Sequence, residues 1–434
     1  MFTRQESPAF TIYQLQEDNL IQVTDQIMGS GKTSYIKQLL NDNIIKKVVS
    51  KYLVATLYLD QIDDILKSVP NAIAPERTSK TKSENFITLL KRETDIIVCT
   101  HELLKSFSAY ELLKPYTLII DESPDVIEVM YDDGQQDNSK TIAVEDIEIL
   151  KKAGHVRETE DRFLEWVADE YQGTVYTDIY KYLKNKSLAI RGNRVYKLLP
   201  KQLFCSAKEV HIFTYLFESQ NMYYYCRYFD LPFQYKHISY ENDRYCIKDG
   251  KCIDRDKVFP ITIYEGNLND IGNKGLSVNW YKKKATKEDL EKVGKAIYNY
   301  LHNDRKAKVG EIIWTTFKQY ADGIANKNDK LKLNKKTKSG KVSKGNFVSC
   351  TMRATNDYKE ATVVVYAVNR FQKPEIIRFF EENQGIVYNE DLFALSEMIQ
   401  FIWRSAIRDG NPIHIYIPSK RMRRMFQEWL EQLK

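Results

Sequence analysis

The chain has 434 residues and a mass of 51.0 kDa, is 43% hydrophobic and 29% charged, and has the composition of a globular protein with room for two or three cores. No apolar run reaches the roughly 18 residues that a membrane span needs, and the residues after Met1 lack the apolar stretch of a secretory signal. Six cysteines without a CxxC pair exclude a zinc ribbon or a disulfide scaffold, so a reducing cytoplasm is the expected compartment. The net charge of +6 permits a polyanionic partner without requiring one.

The first strong signal is Asp25-Gln-Ile-Met-Gly-Ser-Gly-Lys-Thr-Ser34, set between a β-branched run at Leu20–Thr24 and helical spacing at Tyr35–Leu40. Strand, glycine turn and helix together make a phosphate-binding loop, here Met28, Gly29, Ser30, Gly31, Lys32, Thr33 and Ser34. Gly29 and Gly31 let backbone N–H groups approach the phosphates, Lys32 is expected to reach the β- and γ-phosphates, and the Thr33 hydroxyl to ligate Mg²⁺. Gln26 stands where the full pattern has its first glycine. The bland alternative is a glycine turn before an ordinary helix.

Further strands are expected at Tyr52–Ala55 and Asp95–His101, separated by helical spacing at Asp60–Leu66. Such alternation implies a parallel sheet, whose ligands gather at the carboxyl ends of strands, where Thr56, Thr100 and His101 fall. Thr117-Leu-Ile-Ile-Asp-Glu-Ser123 delivers two carboxylates at a strand tip: Asp121 to hold Mg²⁺ and Glu122 to orient and deprotonate a water. After a polar loop at Tyr131–Ser139, apolar residues recur at helical spacing in Val144–Leu150, Arg162–Val167 and Tyr176–Leu183, which predicts a helical insertion over about residues 131–200. The strand pattern returns at Lys208–Glu218.

Beyond a turn-rich stretch at Tyr235–Pro260, strands are expected at Ile261–Glu265, Glu311–Phe317, Asn346–Cys350, Thr362–Ala367 and Pro412–Ile417, with a helix over Ala285–Asn303. Asn326–Lys344 is lysine-rich and nearly devoid of apolar residues, which predicts a flexible surface loop, with phosphate contact as a second reading. Glu397–Arg408 spaces Gln400, Arg404 and Arg408 four apart, on one face of an expected helix.

These motifs resemble the superfamily 2, DEAD-like helicases: Met28–Thr33 as motif I, Asp121-Glu-Ser-Pro124 as motif II, Val54–Asp60 and Thr100–Leu104 as backbone-contacting segments, Cys350–Asp357 as motif V and Gln400–Arg408 as motif VI. The wording around Trp403–Gly410 and Tyr416–Arg423 is similar to phage or mobile-element members. The resemblance implies an α/β chain of two RecA-like parallel-sheet domains in tandem, residues 1–235 with the insertion and residues 236–434. It implies nucleic-acid contacts by Thr56, Thr100, His101, Thr316, Arg353 and Thr355, coupling through Thr214, and catalytic roles for Gln400, Arg404 and Arg408 beside Lys32, Asp121 and Glu122. The expected function is an ATP- and Mg²⁺-dependent helicase or translocase acting on DNA in preference to RNA, in phage or plasmid replication and with replication proteins as partners. The rivals are a motor that does not separate strands and another P-loop ATPase such as a packaging motor.

Overall fold

The computed structural model describes residues 20–434 except 46–49, 78–80, 131–140, 161, 253–257, 274, 327, 337–341, 344, 351–356 and 384. In chain order the strands of the first half are β1 (Ile21–Asp25), β2 (Lys51–Thr56), β3 (Ala72–Ile73), β4 (Ile96–Thr100) and β5 (Tyr116–Asp121). Then come β6 (Ile127–Val129), β7 (Val156–Glu158), β8 (Leu164–Trp166), β9 (Leu188–Arg191) and β10 (Arg194–Leu198), followed by β11 (Glu209–Thr214), β12 (Phe233–Glu241) and β13 (Arg244–Asp249). The second half supplies β14 (Ile261–Ile263), β15 (Ile312–Thr315), the short pair β16 (Lys335–Lys336) and β17 (Val342–Ser343), then β18 (Val363–Tyr366) and β19 (Ile413–Tyr416).

Eight strands form the first sheet in the order β13-β12-β1-β11-β5-β2-β4-β3, parallel throughout except for the β12–β13 hairpin. Its central strands read as continuous apolar runs because both faces are covered. Alternate residues serve opposite faces: Leu53, Ala55, Ile97, Leu118 and Ile120 enter one core, while Val54, Ile96, Val98 and Ile119 enter the other. The second sheet, β14-β19-β18-β15, is parallel in every pairing.

Three expectations need correction. A division after residue 235 would cut β12, and both hairpin strands belong to the first sheet, so that sheet runs to Asp249. The insertion is mixed: helices form at Val144–Lys152 and Thr177–Lys184, but they pack on a five-stranded sheet, β6-β10-β9-β8-β7. Arg162–Val167, read as helical, contains strand β8, with Phe163 in the first-domain core and Leu164 in the core of the insertion. A segment that short satisfies both periods, and pairing with β7 decides between them. In the lysine-rich stretch, Asn328 and Leu331 are buried against the second core, and β16 pairs with β17.

The departure at Gln26 has a structural account. Its side-chain amide donates to Ile238 O at 2.9 Å and accepts from Ile238 N at 2.7 Å, extending the β1–β12 pairing by one rung after the backbone has turned away. Glycine there would leave two buried backbone groups unpaired.

A segment of the second half reaches back onto the first. The helix Pro374–Glu381 and the residues to Phe393 bury Ile376, Phe379, Phe380, Ile386 and Tyr388 in the first-domain core. Phe379 has no exposed surface and lies 4.9 Å from the ring centroids of both Tyr196 and Tyr228, while Tyr388 stacks on Tyr224 at 4.1 Å. Replacing Phe379 by Ala is expected to cost about 3–5 kcal/mol, read in chemical denaturation as an earlier midpoint together with a split into two transitions as the halves uncouple.

Candidate active site at the domain seam

The loop after β1 has the backbone that its glycines allow: Gly29 at φ +83° and Gly31 at φ +90°, the left-handed region that a side chain would strain. The helix Lys32–Ile45 begins directly, Tyr35 N donating to Gly31 O at 2.8 Å, so its unpaired first-turn N–H groups face the loop. Lys32 is buried and its ammonium folds back onto Gln26 O at 2.5 Å and Ile27 O at 3.2 Å. The buried Ser30 hydroxyl has no hydrogen-bond partner among the described residues. Thr33 Oγ1 donates to Asp121 Oδ2 at 3.4 Å. These two oxygens suit a Mg²⁺ ion that takes its other ligands from phosphate and water. Among the described residues no cluster of His, Cys, Asp and Glu would cage a metal outright.

Asp121 ends β5 and Glu122 follows it. Burial raises the Asp121 carboxyl to about 7, the neighbouring Glu122 adds to the rise, and Lys32 and Thr33 oppose it. Glu122 sits at φ +68°, a conformation that costs a non-glycine residue about 1–3 kcal/mol and is held here by its N–H bond to Phe213 O at 2.9 Å. The next strand residue, Thr214, is fully buried, exchanges hydrogen bonds with the Gln220 side chain at 2.8 and 3.0 Å, and accepts Gln26 N on its carbonyl at 3.0 Å. The end of β11 therefore touches both the phosphate loop and the carboxylates.

The second domain closes on this face. Ile27 of the loop and Tyr215 after β11 pack in the second-domain core, Trp429 Nε1 donates to Tyr215 Oη at 3.1 Å, and a Cβ on Gly29 would lie 3.9 Å from Arg408 O. A cleft is lined by Glu122, Asp125 and Gln220 from one side and by Glu397 and Gln400 from the other.

The expectation that Gln400, Arg404 and Arg408 share a helix face is corrected. The helix Glu390–Ile402 stops two residues before Arg404, Arg404 N and Ser405 N bond to Phe401 O and Ile402 O, and a tight turn, Ala406–Asp409, follows to Gly410 at φ +78°. Trp403 is the cause, since it is buried between Phe259 and Trp429 and pins the chain at that point. Gln400 lines the cleft, Arg404 is 5% exposed, and the Arg408 side chain is exposed. The Arg404 guanidinium lies over Phe401, with Nε and Nη1 lacking hydrogen-bond partners among the described residues. Burial lowers its pKa to about 10, opposed by Tyr58 of the first domain and Glu397 of the second.

The residues expected at nucleic acid fare differently. Thr56, His101 and Thr316 are buried, Thr56 donating to Tyr58 O and Thr316 to Tyr281 Oη, so their side chains offer no surface to a strand. Thr100 caps the short helix His101–Lys105 by accepting Leu103 N at 3.2 Å. Arg353 and Thr355 lie outside the described residues. Sequence reasoning missed Gln220 and Tyr58, and nothing in their local pattern marks either.

Solved helicase structures share this fold of two sheets that meet at a glycine loop. An XPD helicase superposes with a TM-score of 0.52 at 13% identity, covering 96% of this chain and 95% of that one. S. tokodaii Xpd4 does so with a TM-score of 0.50 at 13% identity, covering 95% and 94%. Residues 257–430 match the family model of the YonV C-terminal Rossmann-like domain. The SPbeta prophage-derived uncharacterized protein YonV of Bacillus subtilis (strain 168) is 34% identical over 439 residues, 95% of this chain and 98% of that protein, and the chain belongs to the YonV family. Among the described residues no helix is long and apolar enough to cross a membrane.

Asp121 gives the fold a pH dependence. The folded chain keeps its proton up to about pH 7, whereas an unfolded aspartate loses it near its ordinary value of 3.8. Across that window the folded state holds the extra proton, so stability falls as pH rises and the loss is complete above it. Asp121→Asn removes this titration: at pH 8 and without nucleotide the variant is expected to melt above wild type, by about 1 °C for each kcal/mol recovered. The difference should vanish near pH 4 in the same thermal scans.

Proposed function

We propose that the chain is an ATP- and Mg²⁺-dependent helicase or translocase that acts on nucleic acid, DNA in preference to RNA, in phage or plasmid replication in the host cytoplasm. The observation that carries this reading is the pair of half-sites at the seam. The phosphate loop lies against the Arg408 backbone, and Arg404 is buried, feels the charges of Tyr58 and Glu397, and has two guanidinium nitrogens without hydrogen-bond partners among the described residues. A buried guanidinium with two unsatisfied nitrogens carries a desolvation cost that an incoming phosphate would offset. The prophage origin of YonV and the helicase fold supply the context.

In this mechanism the loop N–H groups and the helix terminus bind the phosphates. Lys32 exchanges its loop carbonyls for the β- and γ-phosphates, and Thr33 and Asp121 would hold the ion. Bound there, Mg²⁺ would neutralise charge on the β- and γ-oxygens. Glu122 orients the attacking water and takes its proton. Arg404 balances charge that grows in the transition state, and Gln400 with Gln220 borders the water's position. Because the end of β11 bonds to the backbone of both the loop and Glu122, a shift of either moves the other, which is the coupling we assign to Thr214.

Lys32→Ala is expected to abolish ATP hydrolysis with the circular dichroism spectrum unchanged; wild-type turnover in that variant would remove the nucleotide assignment. Arg404→Lys should lower kcat on the order of 10³-fold with KM little changed, measured with single-stranded DNA, duplex DNA and RNA added in turn. A fluorescent duplex with a single-stranded tail decides the remaining question, since stimulated hydrolysis without strand separation would make the chain a translocase.

A further inference from the structure

The strand order places two features on opposite sides of the phosphate loop. Asp121 ends β5 and Glu122 follows it, two strands from β1 on one side, and the β12–β13 hairpin adjoins β1 on the other. A nucleotide whose γ-phosphate lies near Thr33 and Asp121 must carry its ribose and base away from them, across the loop toward the hairpin. What stands there is Tyr245. A Cβ added to Gly31 would come 2.9 Å from Tyr245 Cζ and 3.0 Å from Cδ1, so the half-buried ring rests on the loop itself.

The placement is fastened from the loop helix. Gln38 Nε2 donates to Tyr245 O at 2.8 Å, Gln38 Oε1 accepts Tyr245 N at 3.1 Å, and Arg244 pairs with Asp42. Tyr240 lies beside it, ring centroids 4.9 Å apart, and is 61% exposed. Large aromatic rings left open beside a phosphate loop are surface on which a flat base can stack. The two glutamines nearest the loop cannot read the edge of that base, because both ends of Gln26 are engaged by Ile238 and both ends of Gln38 by Tyr245.

We infer that Tyr245, with Tyr240 beside it, is the platform on which the base of the bound nucleoside triphosphate stacks, recognising a flat ring and not the hydrogen-bonding edge of adenine. The inference rests on the ATPase reading above and assigns the base subsite that reading leaves open.

The test compares Tyr245→Ala, Tyr245→Phe and wild type in steady-state hydrolysis of ATP and GTP, with inorganic tripolyphosphate as a competitor that carries no base. Tyr245→Ala should raise KM for ATP and GTP alike by about tenfold or more, with kcat changed less than about threefold and the inhibition constant of tripolyphosphate unchanged. Tyr245→Phe, which keeps the π face, should behave as wild type. An unaltered KM in Tyr245→Ala overturns the proposal. So does an equal loss for ATP and tripolyphosphate, which would make the ring a prop for the loop, and so does a loss confined to ATP, which would mean that the edge is read. A wild-type chain that hydrolyses no triphosphate would instead overturn the ATPase reading, an outcome distinct from these three.

Discussion

Two backbone hydrogen bonds at the end of β11 hold the candidate site together. Gln26 N reaches Thr214 O and Glu122 N reaches Phe213 O, so one strand tip sets the spacing between the phosphate loop and the paired carboxylates. Without β11 between β1 and β5, Thr33 and Asp121 would not meet. The strand is separated from both neighbours by long stretches of chain, and the insertion at β6–β10 interrupts the path to it. The parallel ladder nevertheless returns it to register, because its alternate apolar residues find the same two cores as those of β5.

The parts of the site that were legible in the sequence are those whose chemistry is local. A glycine turn between a strand and a helix needs only its own neighbours to adopt φ near +85°, and a carboxylate pair after four apolar residues is placed by the strand that precedes it. The alternation of strands and helices likewise announced two parallel sheets. Legibility failed where distant packing decided the outcome. Nothing near Arg404 says that the helix stops at Ile402; that depends on Trp403 seating between Phe259 and Trp429. Thr56, His101 and Thr316 lie at strand ends, yet their burial comes from elements far away in sequence. Strand β8 carried a helical spacing over too few residues to arbitrate, and Gln220 and Tyr58 have no signature at all.

Gln26 illustrates how a departure from a motif can be compensated. A side-chain amide can present an N–H and a C=O along one edge, and here the two take the place of a rung between β1 and β12. The hairpin that this rung anchors is also the element that brings Tyr245 onto Gly31. Gln26 at the start of the loop and the hairpin are therefore one structural unit, built from residues more than two hundred positions apart.

The segment from Pro374 to Phe393 carries a mechanical consequence. It belongs by connectivity to the second sheet and by burial to the first core, and it ends where the cleft begins, at Phe393. Together with Ile27, Tyr215 and Trp429 at the opposite end of the cleft, it ties the two halves at two places, so that neither sheet can leave the other without exposing aromatic core.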